Sequence, residues 1–410
     1  MLHLTTGDID YIIQRYLFPV EFVAGVVGNS INLLVLLSKG MRTEVRRSRL
    51  LTLPLLQSNL LLSAMAFSDI GFLVSMLPHC LAPYAIFYTS KTFRYFYYVT
   101  KTHINAMANL FSAAATWLVL AVSIERFIGI RKPMHTRFEW RDWRIYVLII
   151  LIFITSFMVT SFHHVEYHVK LVNLCNNTQL RALYYPVAMV PSLKLNFLTN
   201  ETETIHPFWP LYTKWGKYVQ SFTVVVFPII AVGILNYSLI AALQRPEDHR
   251  ERSLVAASER PSGKNSVSRK ESDKIRFSDL GTIQRQERRV TITVLAIVTC
   301  FTLTHAPTLI PFVWESIDDS ATRYPIFINM VSIINNVLVI GKVMNFVLFC
   351  SVSSHFRKRM MALLFRRKPK KYSSGSTSLQ SRHKHSVQLS TYRSRPRLQK
   401  FSTTSTQLDY

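Results

Sequence analysis

An acid and an arginine stand side by side near the end of a long apolar stretch of this 410-residue chain. The triplet Glu125-Arg126-Phe127 closes a mostly apolar run from about Ile104 to Ile130. Charges inside such a run are costly unless they pair or face a water-filled cavity, so the triplet predicts a functional ionic site. Alternatively, the helix has reached the membrane interface, where the side chain of Arg126 extends to the lipid headgroups. The triplet alone leaves both interpretations open.

Two further opposite charges lie in other apolar stretches. Asp69 stands in the second stretch, and Lys342 stands in the last one, three residues before Asn345. Two opposite charges buried close together cost far less than either charge alone, so we expect the Lys342 ammonium to pair with Asp69. A lysine that faces a water-filled cavity is the alternative.

The elements that must position these residues are membrane-spanning helices. Hydrophobic residues make up 49% of the chain and charged residues 17%, whereas soluble domains are about one quarter charged. The apolar residues come in blocks of about 20, the length that crosses a hydrocarbon core of about 30 Å. The sequence therefore predicts an all-α membrane protein, a seven-transmembrane helix bundle. The expected spans are approximately 16–38, 55–84, 104–130, 143–162, 212–243, 290–314 and 325–350.

The remaining segments have distinct predicted roles. After the last span, HFRKRMMALLF places Phe356, Met360, Leu363 and Leu364 on one helical face, which suits a helix lying on the lipid of the inner leaflet. We expect the Ser/Thr-rich tail to be a substrate for receptor kinases and hence a site for arrestin, because each phosphate adds nearly two negative charges. The predicted organisation is an extracellular N-terminus at 1–15, a bundle at 16–350 with an outer loop at 163–211 and an inner loop at 244–289, an amphipathic surface helix at 351–367, and a disordered cytoplasmic tail at 368–410.

Charge distribution predicts the orientation. Most of the 48 lysines and arginines follow the first, third, fifth and seventh spans. Basic residues accumulate on the cytoplasmic side, so we expect a multi-pass plasma-membrane protein with its N-terminus outside and its C-terminus inside. The net charge of +25 then faces anionic lipid and cytosolic partners, not nucleic acid. Two glycosylation sequons, at Asn176 and Asn200, fall in the outer loop and agree with this orientation.

The sequence offers no sign of an enzyme. It contains no phosphate-binding glycine loop and no nucleophile–base pair, and its four cysteines are too scattered for a zinc site. We therefore expect no catalytic residue, cofactor or metal. A transporter or channel should show internal repeats or paired broken helices, and neither is visible.

Several motifs, in the right order, resemble those of rhodopsin-like (class A) G protein-coupled receptors. The motifs are Gly28-Asn29 in the first span, Asp69 in the second, the triplet Glu125-Arg126-Phe127 followed by Pro133, Pro228 in the fifth, Phe301 and Pro307 in the sixth, and Asn345-Phe346-Val347-Leu348-Phe349 in the seventh. Phenylalanine after Asn345, where most of the class has proline, is similar to invertebrate FMRFamide-type peptide receptors. The resemblance implies that Glu125, Arg126, Phe127, Glu287, Asn345 and Phe349 form the G protein switch, in which Glu287 can hold Arg126 at rest.

Other departures narrow the function that the resemblance implies. Many relatives hold sodium near the equivalent of Asp69, and here we expect the Lys342 ammonium to take its place. Opsins, which bind retinal, have a lysine at the position of Val339, and amine receptors have an aspartate at the position of Ala108. This chain therefore lacks the key residue of both classes. Lys101 stands where the family has its disulfide cysteine, which leaves Cys80 and Cys175 as an alternative pair.

What remains is an outward-facing cavity for an extracellular ligand. Its expected walls are Asn105, Asn109, His305, Thr308, Phe312, Glu315 and Asn335. Glu315 suits the guanidinium of a peptide that ends in Arg-Phe-amide, although it could also be a solvated charge. We therefore expect a receptor for an extracellular neuropeptide, amidated and FMRFamide-like, that activates a heterotrimeric G protein by movement of the sixth helix. A chemosensory or lipid receptor is the alternative.

Overall fold

The chain folds as a bundle of seven long helices. The computed structural model describes residues 4, 7–38, 53–131, 142–174, 179–189, 206–244, 291–318, 321 and 324–365. Among these described residues, seven helices are long and apolar enough to cross a membrane, which confirms the predicted fold. The predicted tail at 368–410 and the inner loop beyond Gln244 lie outside the described residues. From first to seventh, the spans are Asp8–Leu37, Ser58–Leu81, Lys91–Ile128, Trp143–His164, Phe208–Ala241, Thr291–Glu315 and Pro325–Val352.

Three spans begin earlier than predicted, and the shift is largest in the first and third. The first helix begins at Asp8, so part of the segment expected as an extracellular N-terminus belongs to the first span. The third helix covers Lys91–Arg131, and its added turns mix polar residues with aromatic ones. Tyr97 and Tyr98 are buried there, because one face of these turns packs against the rest of the protein. An apolar block cannot reveal a helix whose outer turns are amphipathic.

Other helices that extend past their spans run over Leu53–Leu81, Asp142–Thr160 and Phe227–Gln244, and a short helix covers Ala85–Tyr88.

Prolines interrupt the regular geometry of the fifth and sixth spans. The π-helical turn Ser221–Val226 precedes Pro228 in the fifth span. In the sixth span, Pro307 lies in the 3₁₀ turn Ala306–Thr308, between a helical segment at 291–305 and the helix Leu309–Ile317. Proline lacks the amide proton and clashes with the carbonyl four residues earlier, which accounts for both irregularities. The sixth span is therefore two helical segments joined at a turn.

The outer loop predicted at 163–211 contains a β-hairpin that the sequence analysis missed. After the 3₁₀ turn Ser161–His164, strand β1 (Tyr167–Leu174) pairs antiparallel with β2 (Gln179–Pro186). Tyr167 pairs with Pro186 at the base, and Leu174 pairs with Gln179 at the other end. The 3₁₀ turn Val187–Met189 follows. The hairpin rests on the third span and places Glu166 directly before its first strand.

Apolar residues cover both the inside and the outside of the bundle. Leu118, Ile297 and Val298 are among the buried residues of the main core, and Phe349 joins the same cluster. On the outside, residues such as Val20 and Leu303 are about 70% exposed. Large exposed apolar side chains around helices of this length are typical of a surface that faces hydrocarbon.

A short helix follows the seventh span, as predicted, and covers Ser354–Leu364. Phe356 is buried and stacks on Phe349, while Leu363 and Leu364 are exposed. Arg357 donates hydrogen bonds to the carbonyl oxygens of Cys350 and Ser351 at 2.8 and 2.7 Å. These bonds cap the end of the seventh span and fix the direction of the short helix.

Candidate ligand site and polar core

Glu125 and Arg126 meet a serine of the second span at the end of the third span that the charge distribution predicts to be cytoplasmic, which we call the inner end. Arg126 Nε lies 3.8 Å from Glu125 Oε2. The Ser58 hydroxyl donates to the Glu125 carboxylate and accepts from the Arg126 guanidinium. Only 7% of Arg126 is exposed, so its side chain faces the protein and not the lipid headgroups. We call Ser58, Glu125 and Arg126 the inner triad. Phe127 is half-buried, and Glu287 lies outside the described residues.

Asp69 and Lys342 form an ion pair in the middle of the bundle. Lys342 Nζ donates to Asp69 Oδ1 at 3.1 Å, and both side chains are 2% exposed. Asn345 Nδ2 donates to the second carboxylate oxygen, Oδ2, at 2.7 Å. The ammonium also lies 4.7 Å from the centroid of the Phe72 ring. Each charge therefore has an opposite or polarisable partner, as burial requires.

The pair is held between two further helices, the first and the sixth spans. Asn29 Nδ2 donates to the Lys342 carbonyl oxygen at 3.3 Å, which ties the first span to the seventh. A Cβ at Gly341 would overlap the Thr304 hydroxyl of the sixth span, so only glycine permits this approach. His305 stacks on Phe301 at 3.7 Å between ring centroids, and its Nε2 has no hydrogen-bond partner among the described residues. The sixth span thus contacts the charged core through Thr304 and His305.

The predicted cavity residues of the third span bond to polar side chains of other spans. Asn105 Oδ1 is hydrogen-bonded to His79 Nε2 at 2.8 Å, and His79 Nδ1 to the Tyr97 hydroxyl at 2.9 Å. Asn109 Oδ1 accepts from Gln220 Nε2 of the fifth span at 3.2 Å. These contacts join the second, third and fifth spans in a polar layer above the charged core.

The remaining predicted cavity residues differ in their surroundings. Thr308 donates to the His305 carbonyl oxygen at 2.6 Å, within its own turn, and Phe312 is half-buried. Asn335 is exposed, and its neighbour Asn336 makes the interhelical contact instead, donating to both carboxylate oxygens of Glu21 at 3.0 Å. This polar contact between the seventh span and the first is therefore made by Asn336, one residue after the predicted Asn335.

At the opposite end of the bundle, which is predicted to be extracellular and which we call the outer end, one lysine bridges two acids. Lys217 Nζ of the fifth span lies 3.1 Å from Glu315 Oε1 of the sixth and 3.2 Å from Glu166 Oε1 beside the hairpin. His163 Nδ1 is 2.7 Å from the other oxygen of Glu166. We call Glu166, Lys217 and Glu315 the outer cluster. It ties the fifth span, the sixth span and the hairpin together.

Electrostatics favour the charged form of Glu166. Burial acts to raise the pKa of this carboxyl, but the hydrogen bond from His163 and the charge of Lys217 outweigh burial and lower the pKa below its ordinary value. Burial, together with the negative charge of Glu166, raises the pKa of Tyr167 to about 12. Glu166 is thus ionised near neutral pH and stays bound to Lys217, whereas Glu315 remains 37% exposed.

The candidate disulfide between Cys80 and Cys175 is not formed in this structure. Cys80 is a buried free thiol. Its side chain packs in a cluster with Phe18, Phe72 and Ala108. Cys175, Asn176 and Asn200 lie outside the described residues. Within the part of the chain that the structure describes, no group of three or more metal-ligating side chains could hold an ion.

Several residues of these sites escaped the sequence analysis, among them Lys217, His79 and Ser58. Lys217 lies in the fifth span but 98 residues from its partner Glu315, so spacing gave no signal. His79, beside Pro78 in an apolar block, was a detectable polar residue. Ser58 gave no signal, because serine commonly bonds to its own helix backbone.

A seven-helix bundle with a buried ion pair, an inner triad and an outer polar mouth has the architecture of a membrane receptor. Residues 18–367 match the profile of the family described as "Serpentine type 7TM GPCR chemoreceptor Srw". The chain therefore belongs to this family of G protein-coupled receptors.

Curated relatives from Caenorhabditis elegans agree with that assignment. The chain is 31% identical to "Putative G-protein coupled receptor F59B2.13" over 88% of its own length and 75% of the relative's. It is 22% identical to "Sex peptide receptor-related protein 2" over 88% and 74% of the two chains. It is 24% identical to "Probable G-protein coupled receptor B0563.6" over 59% and 48%. The family is one of multi-pass receptors that couple an extracellular ligand to a G protein, and it is not an enzyme family.

Proposed function

We propose that the protein is a receptor for an extracellular neuropeptide of the amidated, FMRFamide-like class, and that it activates a heterotrimeric G protein through movement of the sixth span. The observation that carries this proposal is the outer cluster. Its two carboxylates face one ammonium, and Glu315 remains partly exposed at the mouth. A cluster with an excess negative charge attracts a cationic ligand group, and a guanidinium can bind a carboxylate through two hydrogen bonds.

The same cluster connects the ligand to the sixth span. Glu315 lies on the outer segment of that span, beyond the 3₁₀ turn at Ala306–Thr308. A ligand arginine that takes Glu315 from Lys217 removes a tie between the fifth and sixth spans. Below the turn, Thr304 and His305 contact the core around Lys342, so the displacement has a route to the charged pair. The inner triad is the proposed end of that route.

Other features support parts of this proposal. One relative is named "Sex peptide receptor-related protein 2", which favours a peptide ligand. The distribution of lysine and arginine supports an outside N-terminus, glycosylation at Asn176 and Asn200, and a cytoplasmic tail for receptor kinases and arrestin. The exposed Leu363 and Leu364 of the short helix suit contact with the lipid of the inner leaflet.

A chemosensory receptor is the second candidate, because the matching family is described as chemoreceptors. A small chemosensory ligand that reaches the polar layer of Asn105 and Asn109 needs no contact with Glu315. Screening separates the two functions. A library of amidated neuropeptides and a library of small odorants are applied to cells that express the receptor, with a promiscuous G protein as reporter.

The peptide proposal has a sharper test in Glu315→Gln. For an active peptide that contains arginine, we expect the variant to lower potency roughly 10- to 100-fold, because a charge-assisted hydrogen bond is lost. Replacing the arginine of the peptide with citrulline should cause a similar loss, and the two changes together should add little. Asp8→Asn, which changes an exposed acid at the start of the first span, is the control. Activation by odorants alone, or additive losses for the two changes, would contradict the proposal.

A further inference from the structure

The β-hairpin is mounted on the outer turns of the third span through one of its faces. In β2, Leu180, Ala182 and Tyr184 are spaced two apart, so their side chains share that face. Leu180 is buried with Tyr97 and Tyr98 of the third span, and Ala182 and Tyr184 pack against the same cluster. The register pairs Ala182 with Leu171 of β1, which also packs there. The hairpin is thus fixed by its packing as well as by its own strand pairing.

A lysine and two tyrosines stabilise the contact between the hairpin and the third span. Lys101 Nζ lies 5.2 Å from the ring centroid of Tyr184 on the hairpin and 5.9 Å from that of Tyr97 on its own helix. Both distances are within the range of cation–π attraction, which strengthens as water is excluded. The Tyr184 hydroxyl also donates to the Tyr98 carbonyl oxygen at 3.1 Å. The clamp, meaning Lys101, Tyr97 and Tyr184, therefore joins helix to hairpin by charge, while the hydroxyl adds a hydrogen bond.

The position of the hairpin decides where Glu166 stands. Glu166 directly precedes β1, and its carbonyl oxygen accepts from the Val187 amide at 2.9 Å, which closes the base of the hairpin. The Tyr167 ring packs edge-on against Tyr184 at 6.3 Å. A displacement of Tyr184 therefore reaches Glu166 through one aromatic contact, and Glu166 in turn holds Lys217.

We propose that the Lys101 clamp is the non-covalent anchor of the hairpin and thereby positions the outer cluster. Lys101 stands where the resembled family has a disulfide cysteine, and Cys80 is a free thiol buried elsewhere. The hairpin is thus held without a covalent tether to the third span. Its position is independent of the extracellular redox state and is set by residues that contact no proposed ligand group.

Hydrogen exchange on the purified, ligand-free receptor tests this anchor. In Lys101→Met, which keeps the length of the stem but removes the charge, we expect exchange at residues 167–174 and 179–186 to accelerate roughly 5- to 30-fold. Exchange within 325–352 should stay unchanged. Lys101→Arg retains a cation and should restore protection, and Tyr184→Leu should reproduce the effect of Lys101→Met. Lys214→Met, at an exposed lysine of the fifth span, is the matched control.

Two further readouts separate positioning from general stability. Release of Glu166 should make the Lys217 amine react faster with an acylating reagent in Lys101→Met than in the wild type. A thiol reductant should leave exchange in the wild-type hairpin unchanged. Acceleration of exchange throughout the bundle, failure of Lys101→Arg to restore protection, or loss of hairpin protection under reductant would each overturn the proposal. Because no ligand is present, these outcomes are independent of the peptide assignment.

Discussion

Lys342 and Asp69 can stay charged inside the bundle because each is the opposite charge and the hydrogen-bonding partner of the other. The carboxylate has two oxygens, and they accept from Lys342 and from Asn345. The ammonium has three donors, and besides Asp69 it faces the Phe72 ring. Removal of one partner from a buried pair leaves an uncompensated charge, which typically costs about 3–5 kcal/mol. The Lys342 ammonium therefore acts as an internal cation that is bound to the Asp69 carboxylate.

This arrangement predicts that the receptor is insensitive to sodium. Many receptors of the resembled class hold sodium near the equivalent of Asp69, but here the Lys342 ammonium occupies that side of the carboxylate. We expect the melting temperature of the purified wild type to be the same in sodium chloride and in choline chloride at equal ionic strength. Lys342→Ser should melt lower by an amount that reflects about 3–5 kcal/mol and should regain stability in sodium.

The double variant Lys342→Ser/Asp69→Asn provides the control for that prediction. It has no buried charge left to bind a cation, so its melting temperature should not respond to sodium. A wild-type receptor that melts higher in sodium than in choline would contradict the assignment of Lys342 as the internal cation.

The sequence could predict this core pair but not the outer cluster. Asp69 and Lys342 stood out because a charge within an apolar block requires a partner, and few candidates were available. Glu315 lies near water, where a charged side chain needs no partner. Nothing in the sequence therefore distinguished Lys217, its partner, from the other outer lysines. Burial makes partners predictable, and exposure makes them ambiguous. The inner triad lies between these cases, since the Glu125–Arg126 pair was visible and the contribution of Ser58 was not.

At the scale of elements, hydropathy predicted every span but not the hairpin. A span must satisfy its backbone within a continuous apolar helix, which leaves a strong pattern of about 20 residues. The hairpin packs one face against Tyr97 and Tyr98 and leaves the other mostly to solvent, so its residues mix polarity like those of a loop. The outer turns of the third span were missed for the same reason. The aromatic face of these turns packs against the hairpin.

Close helix packing also depends on glycine, which offers a test at this scale. A Cβ at Gly28 in the first span would lie 2.8 Å from the Cβ of Phe346 in the seventh, where no side-chain rotation relieves the overlap. We expect Gly28→Ala to destabilise the receptor by roughly 1–3 kcal/mol, measured as a lower melting temperature in detergent. Gly233→Ala is the matched control, because nothing lies within 4 Å of its Cβ, and it should melt at or above the wild-type temperature. Equal melting temperatures for both variants would contradict the inferred contact between spans.

Within the described part of the molecule, the outer cluster, the Asp69–Lys342 pair and the inner triad lie at three successive levels of the bundle, inside an apolar exterior. The outer cluster joins the fifth and sixth spans, the Asp69–Lys342 pair joins the second and seventh, and the inner triad joins the second and third. The second span takes part in the lower two levels, and the sixth span touches the upper two through Glu315 and Thr304. In the mechanism that we propose, a signal that enters at Glu315 passes from the sixth span to the core and from the core, through the second span, to Arg126.

The inner triad should therefore set the resting activity of the receptor. Ser58→Ala removes the hydroxyl that joins the Glu125 carboxylate to the Arg126 guanidinium, and it leaves both charges in place. Because hydrogen bonds to charged groups contribute about 1.5–3 kcal/mol, we expect ligand-free signalling to rise roughly tenfold at matched surface expression. Ser68→Ala is the control on the same helix, since Ser68 donates only to the Ala64 carbonyl oxygen of its own turn. If the two variants signal alike without ligand, the second span does not restrain Arg126, and the route from the core to the G protein must leave through the third and seventh spans instead.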